Sequence, residues 1–523
     1  MFPNQSKYNR YLIILIVVST AIRMFIAGTV ELGNDEVYYR LYALYPDWSH
    51  FDHPLMVGLV IQLFSLNLLL HSEFFLRLGA IVIGVVNIWL MFRIGKTIKD
   101  ERTGFYAAFL YVTSIYASII SGTFILPDTP QGLFWLLSIY IILYILPHEP
   151  AEKNVKYLFP LLGLTLGLGI LSKYTTVFLW LGIFLYFSFY RRDWLKSKYV
   201  YLALTITLIC ILPIMFWNIK YDFISFAFQG GRVAEGSFQF HPEFFFREIL
   251  GEVFYNNPVN FVLIVIAVIA VISEKLLLKI CCIRLIILTT IPLIVTMLLV
   301  SLFRSTLPHW SAPAYTTLLL LAAGWLDQKK SGRIQQFWLS ASALVFLAII
   351  ILGYIQVQYG LIIKDKSADY TRIGSNDPSL DMYGFKQVGS AFEELVVQDR
   401  KSGVMPEDAV LVGDNWFPLA NYDYYAASPL GMQTYGIGDL NHIHKYAWIN
   451  REHGGLKKGM SAYYITDSRY YHPPDMKFKA AFETVEPADT IQIYRGGKVV
   501  KRAFVFRLKN LEQVPEDPLS GKK

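Results

Sequence analysis

The chain has 523 residues, 54% of them hydrophobic and only 17% charged, with a mean hydropathy of +0.41. A soluble globule of this length cannot hide that much apolar surface, so much of it must face lipid. The net charge of +7 does not argue for nucleic acid, because the basic residues sit between apolar runs, as membrane loop charges do.

Apolar runs long enough to cross about 30 Å of hydrocarbon recur through the first two-thirds of the chain. They predict helices near 11–29, 74–92, 104–122, 130–147, 157–172, 175–190, 199–217, 258–273, 283–302, 311–326 and 337–357. That makes a polytopic α-helical membrane protein with about eleven spans. The basic N-terminus (Lys7, Arg10) precedes the first run without a convincing cleavage site, so that run reads as an uncleaved helix. The apolar stretch 55–70 is short and reads as an interfacial or re-entrant helix. Basic residues such as Arg93, Lys96, Lys153, Lys156, Arg191, Arg192, Lys329 and Lys330 gather on alternate loops, which predicts a cytoplasmic N-terminus. An odd number of spans then places residues 358–523 outside, after a membrane domain of 1–357. This tail has short strand-like runs, "DAVLVGD", "SAYYITD" and "TIQIYRG", and the helix-like "FKQVGSAFEELVVQ", predicting an extracytoplasmic α/β domain. It holds no cysteine. Cys210, Cys281 and Cys282 all lie in or beside apolar runs, so the tail carries no disulfide framework.

Ionisable residues collect on the loops assigned to the outer face. The first such loop, about 30–73, carries the adjacent acids Asp35 and Glu36, then Asp52 and His53. The second is short and brings Asp128. Lys173 follows in "LSKYT", Arg304 and His309 in "FRSTLPHWSAPAY", and the long loop 218–257 is rich in aromatics. Each has a plain structural reading. Asp35-Glu36 and Asp128 suit helix N-termini, Lys173 and Arg304 can reach the headgroups, and His309-Trp310 suits an interfacial anchor. Together they suit chemistry at a membrane surface. Cations hold a phosphate leaving group, a carboxylate takes a proton from a nucleophile, and an apolar groove admits a lipid-linked donor. Asp52, His53 and His241 are oxygen and nitrogen ligand types, so a divalent metal is left open, although their spacing forms no ligand motif.

Several patches, in order, resemble the bacterial dolichyl-phosphate-mannose-protein mannosyltransferase-like family. They are "NDEVYY", "DWSHFDHPLMVGLVIQLF", "LPDTPQGLFWLL", "GLGILSKYTTVFLW", "LPHWSAPAYTTLLLLAAGW" and, in the tail, "DNWFPLANYDYYA". The wider group includes protein O-mannosyltransferases and the aminoarabinose transferases of lipid A. The resemblance implies a GT-C fold, no cofactor, a polyprenyl-phosphate (undecaprenyl-phosphate) sugar donor, inversion at the anomeric carbon, and a lipid A, polysaccharide or protein acceptor in the cell envelope. It implies a bacterial inner-membrane protein with a periplasmic tail. Residue by residue it makes Asp35 the catalytic base and Glu36 its supporter. Lys173 and Arg304 become grips for the donor phosphate, and Asp52, His53, Asp128 and His309 further substrate contacts. Asp52-His53 stands where aminoarabinose transferases have a Glu-Lys pair, so the resemblance leaves the acceptor open. It also implies that Asp35, Lys173 and Arg304 converge on one cavity. A transporter or flippase of polyprenyl-linked sugar is the alternative. It predicts paired mid-membrane charges or helix breaks, which the drawn helices lack.

Overall fold

The structure is a computed structural model. It describes residues 7–150, 152, 155–234, 239–362, 369–474 and 478–520. Lys153, part of the charge pattern above, lies outside the described residues. Two compact units emerge: Met1–Gly28 with Pro46–Ile349, and Thr29–Tyr45 with Ile350–Lys523.

The first unit is helical. All eleven apolar segments contain helix, and six helices among the described residues are long and apolar enough to cross a membrane, or seven if one bent pair counts as a span. That pair, Pro242–Tyr255 and Pro258–Ile272, is bent by 102°. Met56–Phe64, within the 55–70 run, is a helix of 9 residues, too short to span. Small residues let helices approach where lipid gives no hydrophobic drive. A Cβ built on Gly95 of helix Glu73–Ile98 would lie 2.7 Å from the Cα of Gly104 in helix Glu101–Val112.

The helix predicted over 104–122 is corrected. It stops at Val112, and a π-turn follows at Tyr116–Ile120. Hydroxyls compete with the ladder here: Thr113 Oγ1 donates to the Phe109 carbonyl (3.1 Å) and Thr123 Oγ1 to that of Ser118 (2.7 Å). Irregular backbone among membrane helices persists only where its polar groups find partners. Asn257 Nδ2 supplies one to the Thr113 carbonyl (2.9 Å), and Asn260 Nδ2 another to Leu110 (2.9 Å). Ser342 closes the network, donating to Asn260 Oδ1 at 2.7 Å.

The second unit is α/β. Its strands are β1 (Val410–Gly413), β2 (Thr434–Gly436), β3 (Ala462–Asp467), β4 (Phe482–Arg495) and β5 (Lys498–Leu511), in the order β2-β1-β3-β5-β4. β1 runs parallel to both β2 and β3, whereas β3–β5 and β4–β5 are antiparallel. The three strand-like runs and the helix Phe385–Ser402 lie where the sequence predicts them. A division at 357/358 does not describe this unit, because Thr29–Tyr45 belongs to it. Glu31 Oε2 accepts from the backbone N–H of Phe385 (2.8 Å), placing an acid at the start of helix Phe385–Ser402. Leu32 N–H donates to Tyr425 Oη (2.7 Å), and the Tyr38 ring packs 4.9 Å from Trp416.

Candidate functional site

In the first unit the site is built at two helix ends. Helix Leu158–Ser172 stops at Lys173, whose backbone turns extended before the turn Tyr174–Thr176 and helix Val177–Tyr190. Helix Asp128–Ile145 begins opposite this break. Asp128 sits in its first turn, where the positive helix end favours a carboxylate. One turn on, Gln131 Nε2 donates to Thr175 Oγ1 (2.8 Å) and Thr176 Oγ1 (3.1 Å), fixing the break against the helix start.

Lys173 Nζ lies 2.9 Å from both carboxylate oxygens of Asp128. Asp128 is 2% exposed and Lys173 5%, so the pair is removed from bulk water. Tyr116 Oη, brought in by the π-turn, donates to Asp128 Oδ1 at 3.0 Å. Charge, hydrogen bonds and burial thus hold both groups in one geometry.

Two histidines face the same charges. Burial, with Lys173 reinforcing it, pushes His309 down to about 4. Burial does the same to His53, which falls to about 4 although Asp52 opposes the shift. Both residues keep part of their surface open. At neutral pH each is an uncharged donor and acceptor. Asp128, Lys173 and Arg232 act electrostatically on both. Arg232 ends helix Ile224–Ala234, with its guanidinium 5.0 Å from the ring centre of Trp310 and 5.5 Å from that of Phe228.

Between the unfolded value of 6.5 and a folded value near 4, the unfolded chain binds more protons. Stability therefore rises with pH across that window and is lost as pH falls through it. Acidification from pH 7 to 4.5 should cost roughly 2–3 kcal/mol per histidine, read as thermal unfolding in detergent. His309→Gln should flatten the profile, and an unchanged acid limb would refute the assignment.

Of the residues named from the sequence, Asp52, His53, Asp128, Lys173 and His309 share this neighbourhood. Arg304 is partly buried on the turn after helix Ile280–Ser301, its backbone N–H donating to Val300 (2.9 Å). Asp35 and Glu36 lie in the second unit, in the first turn of helix Asn34–Leu44. Glu36 is buried, and its Oε2 accepts from the Gly33 N–H at 2.9 Å, the reach-back half of a capping box. Asp35 is exposed. His241 instead faces Glu243 (2.7 Å), and among the described residues no three His, Cys, Asp or Glu side chains gather as a metal site. Sequence reasoning overlooked Tyr116 and the site role of Arg232. The hydroxyl-rich "VTSIYAS" was the available signal for the first.

Residues 52–217 match the family model described as dolichyl-phosphate-mannose-protein mannosyltransferase. No curated protein matches the sequence. ArnT from Cupriavidus metallidurans bound to undecaprenyl phosphate superposes with a TM-score of 0.65 at 14% identity, over 95% of this chain and 98% of that one. Its apo form gives 0.65 at 13% identity, over 96% and 98%. The archaeal oligosaccharyltransferase AglB from Archaeoglobus fulgidus, in complex with an inhibitory peptide and a dolichol-phosphate, gives 0.50 at 11% identity, over 88% and 70%. The chain is thus a multi-pass membrane protein with the GT-C fold of ArnT and AglB, and its residues 52–217 match the mannosyltransferase family model.

Proposed function

We propose that this protein is an integral-membrane inverting glycosyltransferase that moves a sugar from a polyprenyl-phosphate donor, undecaprenyl phosphate in a bacterium, to an envelope acceptor. The reading is carried by the charge cluster of the first unit, where the buried Asp128–Lys173 pair acts together with Arg232 on two neutral histidines. A phosphodiester brings a single negative charge. Lys173 and Arg232 answer it, and His53 and His309 donate hydrogen bonds without adding net charge. Asp128 keeps the ammonium fixed before the donor arrives, so no reorganisation is needed when charge develops on the leaving group. Arg304, named by the family resemblance, is a second candidate grip.

Asp35 is proposed as the base, with Glu36 holding the helix turn that presents it. The acceptor hydroxyl or amine attacks the anomeric carbon and its proton passes to the carboxylate. The bond from that carbon to the phosphate oxygen breaks, and polyprenyl phosphate leaves with the electron pair. We assign the protein to a bacterial inner membrane with a periplasmic second unit, and its acceptor to lipid A, another envelope glycan or protein.

The test is release of undecaprenyl phosphate from pentosyl- and hexosyl-phosphoundecaprenol by the purified protein in nanodiscs, with envelope extract as acceptor. Consumption of none of these donors would overturn the reading. Arg232 is exposed, so Arg232→Ala should fold normally while raising the donor KM about tenfold, the loss expected for one charge-assisted hydrogen bond. A donor KM equal to wild type would remove Arg232 from the phosphate site.

A further inference from the structure

The second unit holds a recess that the chemistry above does not use. β1 and β3 are parallel neighbours, and the chain leaving the carboxyl end of β1 crosses to β2 on one side whereas the chain leaving β3 goes to β4 on the other. In parallel α/β sheets, ligands bind in the crevice at such a point. Here a cavity of about 160 Å³ opens there, lined by Asp414, Asn415, Phe417, Tyr464, Thr466 and Tyr470 with His472 at the rim.

The lining combines hydrogen-bonding groups with aromatic faces. Asp414 directly follows β1 and is buried. Its Oδ1 accepts from Tyr464 Oη at 3.4 Å, and its Oδ2 lies 3.3 Å from His472 Nδ1. Both contacts exceed the usual length of hydrogen bonds to a carboxylate, so either donor can be exchanged for an incoming hydroxyl at little loss. The single Tyr464 hydroxyl proton is shared between Asp414 and the His472 carbonyl, 3.2 Å away, which ties the loop carrying the histidine to this residue. The Phe417 and Tyr470 rings meet edge to face at 4.9 Å and remain partly exposed, offering an apolar wall.

Size and charge narrow the ligand. The volume is about half the lower end of the range for drug-sized pockets, so it accommodates a single ring. Among the described residues the lining holds a carboxylate and no lysine or arginine, which disfavours phosphate or any anion. A neutral ring bearing several hydroxyls on one edge and C–H groups on its face matches both surfaces.

We propose that this recess is a saccharide-binding subsite for one sugar ring of the acceptor glycan. The word acceptor rests on the transferase reading above. The site itself rests on the cavity and its lining. The segment "DNWFPLANYDYYA" supplies its floor.

The experiment is saturation-transfer NMR on the full-length protein in micelles, with the methyl glycosides of mannose, arabinose and N-acetylglucosamine as probes. At least one glycoside should give a saturable signal. Asp414→Asn and His472→Ala should each weaken it about tenfold, as expected for a lost hydrogen bond to a charged group. His472 is 57% exposed in its side chain, so its variant remains informative if Asp414→Asn misfolds. Undecaprenyl phosphate should not displace the bound glycoside. Absence of a saturable signal for all three probes would overturn the proposal, as would indifference to both variants. Displacement by undecaprenyl phosphate would place the sugar in the donor site and overturn it equally. The assay needs no turnover. Binding without transfer would therefore reject the transferase reading alone, and transfer without binding would reject the subsite alone.

Discussion

Asp128→Ala should lower the stability of the solubilised protein by about 3–5 kcal/mol, the cost of leaving a buried charge without its partner. Lys173, 5% exposed, would keep an ammonium with no carboxylate at 2.9 Å, and the Tyr116 hydroxyl would lose its acceptor. The break that Lys173 occupies joins two helices, so the strain falls on helix positions as well as on one contact. A double variant, Asp128→Ala with Lys173→Met, should recover much of the loss, because it removes the uncompensated charge instead of stranding it. Thermal unfolding of wild type, Asp128→Ala, Lys173→Met and the double variant forms the cycle. A single variant within about 0.5 kcal/mol of wild type, the range of ordinary surface changes, would show that the pair does not hold this part of the fold.

Asp35→Asn should behave in the opposite way. Its side chain is exposed at the start of a helix, so the unfolding temperature should stay close to wild type. Transfer should fall by about 10²–10⁴, the usual loss when a positioned proton acceptor is removed. Glu36→Ala separates position from chemistry. It removes the acceptor of the Gly33 N–H and should cost roughly 1 kcal/mol, with activity falling only as far as the helix start frays. Sugar transfer by Asp35→Asn at the wild-type rate would reject the carboxylate as base. The informative measurement is a single-turnover rate, which separates the chemical step from acceptor binding.

The two variants differ because the acids of the first loop have separate duties. Glu31 starts a helix 354 residues away in sequence, Glu36 caps its own helix, and Asp35 faces outward. Composition alone shows three acids close together behind an apolar run. Which one is spent on backbone N–H groups depends on what packs against each.

Much of the architecture was legible beforehand, since apolar length and loop charge are local properties that lipid enforces directly. A stretch of apolar residues in a bilayer must satisfy its own backbone, and a helix does so within the segment. The α/β character of the tail was readable for the same reason: alternation and turn residues act over a few positions. Lys173 was conspicuous because a cation in an apolar run is costly without a purpose. Its partner was not, since Asp128 lies 45 residues earlier and only folding brings them together. The end of the helix at Val112 escaped notice because hydroxyl-bearing residues pass as apolar in a window average, yet compete for carbonyls once neighbouring helices supply asparagines. The membership of Thr29–Tyr45 in the second unit likewise rests on partners hundreds of residues away. By itself the sequence determined the membrane helices, the α/β tail and the residues worth watching, because each follows from short-range pattern against a fixed solvent. Tertiary structure alone decided which charge meets which, because ion pairs and caps form at distances that chain separation does not encode.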